Sequence, residues 1–170
     1  MRKCAFVFLI LFLSLSSYLY SQKSVDIDGR LQPLLNEFFE QCEKYGIDYH
    51  AKLFQLENID IVSSLPLEEK NTVLGKVSRN ASGKVNQILI SWAAMLDPEI
   101  LKIVAFHEFA HHFLDCKHTC QDCNEIMAVT NISYFAIAQD WENQVETLFK
   151  TSPIYLANNK AQTVVVNTFN

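Results

Sequence analysis

The sequence predicts an α+β fold in one domain: a small, mostly antiparallel sheet packed on a central helix, with a further helix towards the C-terminus. Three observations predict it. Apolar residues recur at helical spacing between 31 and 45, three short runs rich in β-branched residues follow between 59 and 90, and a well-punctuated apolar helix opens at Asp97. The chain has 170 residues, 49% of them hydrophobic, which suits a single core.

Each element has its own signal. Leu31, Leu34, Leu35, Phe38, Phe39, Cys42 and Tyr45 fall at three- and four-residue steps, which gathers them on one helix face. Pro33 suits the first turn, and Gly46 supplies a stop. The strand runs are Ile59–Val62, Thr72–Val77 and Val85–Ile90, and Asn80-Ala81-Ser82-Gly83 reads as the hairpin between the last two. In Asp97-Pro98-Glu99 the aspartate caps free amides, proline fits the first helical position and glutamate faces the positive end of the helix. That helix is expected to reach about Asp115. An irregular cysteine-rich loop follows, then a final helix over roughly Tyr134 to Lys150 and a tail containing Val164-Val165-Val166.

Residues 1–21 have the layout of a secretory signal peptide: Arg2 and Lys3, an apolar run from Cys4, then Ser21 before the expected cleavage. Residues 22–170 then form the exported domain, secreted or periplasmic. The alternative is an uncleaved membrane anchor, against which the shortness of the apolar run argues. Cleavage removes two bases and no acids, leaving 12 basic against 19 acidic residues. With no basic stripe, nucleic acid is excluded as a partner, and neither stable membrane insertion nor oligomerisation is expected. Four cysteines remain, Cys42, Cys116, Cys120 and Cys123. In an exported chain they predict two disulfides of undetermined connectivity.

Chemistry concentrates in residues 106–127, which hold His107-Glu108-Phe109-Ala110-His111, and four of the chain's five histidines lie between 107 and 118. Two histidines four apart on a helix project from one face, one turn apart, so both imidazoles reach one tetrahedral zinc ion. Glu108, about 100° round the helix, flanks the ion as a proton acceptor. A helix otherwise so apolar has little reason to carry these polar residues as solvated surface. His118 is the leading third ligand, and it needs the chain to leave the helix and fold back. Glu142 or Glu146 on the next helix is the alternative. Cys116, Cys120 and Cys123 around His118 also describe a structural zinc site, which would take His118 away from the helix. His112 points away from His107, towards a supporting or surface position, and His50 reads as surface.

With Met127 in Asn-Glu-Ile-Met, residues 106–127 resemble the metzincin group of zinc peptidases, and more closely small secreted bacterial metallopeptidases with six residues between the second and third His. The resemblance implies a zincin-like fold, one catalytic zinc on His107, His111 and His118, a methionine turn at Met127 beneath the metal, and hydrolysis of a peptide or protein substrate with Glu108 as base. It also implies a substrate held by main-chain pairing on an edge strand, here Gln87–Ser91. The sequence itself names no second oxyanion donor beside the metal, and Tyr134 is a candidate for that place. The chain departs from the usual metzincin spacing in having Leu114 where glycine stands, and Lys117 where the third ligand would fall. The turn must therefore use Asp115, Cys116 or Lys117. Two other readings stay open: a zinc-stabilised binding module without chemistry, and a peptidase similar to thermolysin with Glu142 or Glu146 as third ligand.

Overall fold

The computed structural model describes residues 24–65 and 73–167, residues 162–167 by backbone alone. The signal-peptide assignment for 1–21 and the strand start at Thr72 lie outside these residues. The fold is mixed α and β: six α-helices, a four-stranded sheet and a two-stranded ribbon among the described residues. No helix among them is long and apolar enough to cross a membrane.

The short strand β1 (Asp26–Ile27) leads into α1 (Gln32–Lys44), which starts with proline in its first turn and ends before Gly46, at φ +66°. Helix α2 (His50–Leu53) is a single turn. Strands β2 (Asn58–Val62), β3 (Gly75–Arg79) and β4 (Val85–Ser91) follow. A 3₁₀ turn (Trp92–Leu96) then delivers the chain to α3 (Pro98–Phe113), where the Asp97 carboxylate accepts from the amides of Glu99 at 2.8 Å and Ile100 at 3.3 Å.

The sheet is not mostly antiparallel. Its order is β1-β2-β4-β3, with β1 and β4 each parallel to β2 and only the β3–β4 hairpin antiparallel. The cause is the placing of β4. Ile88 and Ile90 are fully buried, so this strand takes an interior position with partners on both sides, whereas the more polar Gly-Lys-Val-Ser-Arg of β3 goes to the edge. Three consecutive strands that run up, down and up, with the third in the middle, make the third parallel to the first.

Helix α3 lies against β3 and β4 on one side and α1 on another. It is apolar nearly all round, as expected of a helix buried on most sides. Phe38 of α1 meets Phe106 and Phe109 edge to face at 5.3 and 5.5 Å and also packs on Phe113 and Phe149. The cysteine-rich segment is more regular than expected: β5 (Cys120–Cys123) pairs in parallel with β6 (Ala128–Asn131). The expected final helix divides into α4 (Tyr134–Gln139), α5 (Trp141–Thr151) and α6 (Pro153–Asn167), so Val164–Val166 lie in a helix and not a loose tail. Pro153 drives Ser152 into an extended conformation and ends α5, and the Ser152 hydroxyl then accepts from the Tyr155 amide in the first turn of α6.

Candidate metal centre

The spacing of His107 and His111 on α3 brings their rings together, with centroids 4.6 Å apart. His118 reaches them because the chain reverses directly after the helix. Leu114 caps α3, and Asp115 adopts φ +56°, the left-handed region that aspartate enters more readily than most side chains. Asp115 thus does the work expected of glycine. The Cys116 amide then returns to the Ala110 carbonyl at 3.2 Å, and three residues on, the Thr119 amide is anchored on the Met127 carbonyl at 3.0 Å. His118 lies between these fixed points.

The three Nε2 atoms converge: 3.0 Å between His107 and His111, 3.1 Å between His111 and His118, and 3.2 Å between His118 and His107. His107 Nδ1 stands 2.6 Å from the Ile126 carbonyl oxygen, and His111 Nδ1 stands 2.8 Å from that of Cys116. A carbonyl only accepts, so both Nδ1 atoms carry the proton and both Nε2 atoms present lone pairs. Lone pairs facing one another at 3.0 Å repel unless a cation lies between them. A tetrahedral zinc with bonds of about 2.0–2.1 Å holds its ligands about 3.3 Å apart, close to this triangle. Burial and the neighbouring imidazole of His111 push His107 down to about 4, and burial also lowers His111. Both are neutral at pH 7, the form that binds a metal.

Glu108 shares the cavity of about 630 Å³ that these histidines line. It is 5% exposed, and burial pushes its carboxyl up to about 8. Its roof is Gly75 of β3, a residue that the sequence reading passed over. A methyl group there would stand 2.5 Å from Oε1 and 2.6 Å from Cγ of Glu108. Glycine inside a strand run signals such close approach. Gly75→Ala is therefore expected to cost roughly 1–3 kcal/mol as overpacking, read as a lowered denaturant midpoint, with metal binding unchanged.

Other supporting groups had no sequence signal. Lys52 on α2 pairs with Asp115 at 2.6 Å and donates to the His112 carbonyl at 3.0 Å, while His112 Nε2 donates to the Lys52 carbonyl at 2.9 Å. His112 is thus buried, not at the surface, and helps lock the end of α3. Gln144 of α5 accepts from the Ile126 amide at 3.3 Å and donates to the Asn124 carbonyl at 3.1 Å. It steadies the segment whose Ile126 carbonyl orients His107.

Gln144 also explains why Glu142 and Glu146 are not at the centre. Residues two apart on a helix point to nearly opposite sides, so with Gln144 turned to the site both glutamates are exposed, and Glu146 pairs with Lys150. Met127 is buried in the core, and the neighbouring Ile126 carbonyl is the group of that segment that accepts from His107. Tyr134 lines the cavity, and burial raises its hydroxyl above the usual range, keeping it a donor. His50 is exposed beside Asp48.

Two expectations fail. Gln87–Ser91 is no edge, because β4 is paired on both sides, and the edge strand along the cavity is β3. Among the described residues there is also one disulfide in place of two: Cys120 joins Cys123, whereas Cys42 and Cys116 are free thiols. Cys42 points into the apolar core, where burial pushes it up to about 12 and a thiol packs as a small hydrophobe. The described residues also hold a second group with ligand atoms within 4.8 Å of one another, Cys120, Cys123 and Glu125, but His118 belongs to the histidine cluster and not to it.

The chain matches no protein-family model, no curated protein and no solved structure.

Proposed function

We propose that the protein is an exported zinc-dependent peptidase with a zincin-like arrangement, in which His107, His111 and His118 hold the metal and Glu108 is the catalytic base. The observation that carries this reading is the convergence of three Nε2 atoms, two of them with their tautomers set by backbone carbonyls, in a cavity that also contains a carboxylate. Protein ligands that orient one another through outer hydrogen bonds are the usual form of a zinc site. A purely structural zinc has no use for a buried carboxylate beside it, whereas a hydrolase needs one.

A zinc ion held there supplies Lewis-acid activation of water and of a peptide carbonyl. The chain's own groups do the rest. Burial alone holds the Glu108 carboxyl protonated at neutral pH, and the positive charge of a bound cation would favour its ionised form, which accepts the proton of the attacking water and returns it to the departing amine. Tyr134 donates to the developing oxyanion from the far wall. No described strand pairs with the outer edge of β3, and an extended substrate added there would bring its scissile carbonyl between β3 and α3.

Metal removal tests the reading. Peptide cleavage by the purified protein is expected to disappear after dialysis against a strong chelator and to return when one equivalent of zinc is added. Cleavage that survives chelation would exclude the triad as the catalytic centre.

A further inference from the structure

We propose that the cleft selects peptides rich in carboxylate side chains, recognised by Lys76, Arg79 and Lys117. The proposal rests on the peptidase reading for the lie of the peptide along β3, and it adds a substrate class.

The chain carries 14 basic and 19 acidic residues, yet the cavity reverses that balance. Lys76, Arg79 and Lys117 line it, against Glu108 and Asp115. Neither carboxylate is available to neutralise them, because Glu108 is buried beneath Gly75 and Asp115 is paired with Lys52. Among the described residues, Arg30, His50, Lys52, Lys102 and Lys150 engage carboxylates. The three cavity cations do not. Arg79 spends one donor on the Gly83 carbonyl and keeps the remainder of its guanidinium.

The charge comes from two elements. Lys76 and Arg79 stand on β3, and Lys117 follows Cys116, whose carbonyl orients His111, and precedes His118. Ala128, Val129, Asn131 and Tyr134 also line the cavity and carry no charged side chain. Exposed lysines are ordinarily solvated and contribute little. Three of one sign around one cavity, two from β3 and one from the loop before His118, in a protein of opposite net charge, give that cavity a positive potential. The outer main-chain edge of β3, with which no described strand pairs, favours a peptide over other polyanions, since it adds hydrogen bonds that only an extended chain satisfies.

The test separates binding from cleavage by using the zinc-loaded Glu108→Gln protein. Labelled decapeptides differing only in Glu or Gln content are titrated by fluorescence anisotropy. At low salt the Glu peptide is expected to bind on the order of tenfold more tightly, and the gap should shrink to about twofold near 0.5 M salt as the charges are screened. Adding Lys76→Glu, Arg79→Glu and Lys117→Glu together should turn the preference to Lys-rich peptides, with folding checked by circular dichroism. Lys160→Glu, outside the cleft, should leave it unchanged. Equal binding of Glu and Gln peptides, or a preference indifferent to the triple change, overturns the proposal. So does tight binding of a sulfated polysaccharide with no binding of acidic peptides. If the Glu108 parent binds Glu peptides selectively but cleaves none, the peptidase reading falls and the charge preference stands. If it cleaves Glu and Gln peptides equally, the reverse holds.

Discussion

His118→Ala is expected to weaken zinc binding by more than 100-fold while leaving the metal-free protein as stable as the parent. Outer-shell partners of zinc ligands already cost 10–100-fold in affinity when removed, and His118 contributes one corner of the nitrogen triangle, 3.1 and 3.2 Å from its neighbours. Its ring is exposed, and exposed substitutions usually stay within about ±0.5 kcal/mol. Competition against a chromophoric chelator reads the affinity, and denaturant unfolding without metal reads the stability. Glu142→Ala and Glu146→Ala should match the parent in both, since these glutamates lie on the solvent side of α5. Unchanged zinc affinity in a folded His118→Ala protein would remove His118 from the ligand set.

Glu108→Gln is expected to keep one zinc and lower peptide hydrolysis by roughly 10²–10⁴-fold, the range a positioned general base contributes. The amide keeps the shape that Gly75 accommodates but accepts no proton. The change should appear in kcat, with KM nearly constant, because the group acts on the proton in flight and not on the bound peptide. Parent-like turnover by the zinc-loaded variant would show that the carboxylate is not the base.

Much of the centre was legible in the chain. The caps at Asp97 and Pro98 and the dense apolar run specify α3 locally, and a four-residue spacing on a helix fixes where His107 and His111 point. Distant partners were not legible, because a sheet order is decided by tertiary burial and not by the strand itself. Ile88 and Ile90 read equally well as an edge or an interior strand, and only the completed core puts β4 inside and β3 along the cleft. The roles of the Ile126 and Cys116 carbonyls carry no side-chain signature at all. Glu142 and Glu146 looked plausible by spacing, but helix phase is invisible until one residue, Gln144, is seen to face the site. Asp115 was one of three turn residues the spacing demanded, and its positive φ selects it.

Zinc-edge X-ray absorption of the purified, zinc-loaded protein tests most directly whether three imidazoles hold one metal ion. The expected spectrum has one zinc per chain with only nitrogen and oxygen neighbours at about 2.0–2.1 Å. Sulfur neighbours at about 2.3 Å would place the metal on Cys120 and Cys123 and contradict the account.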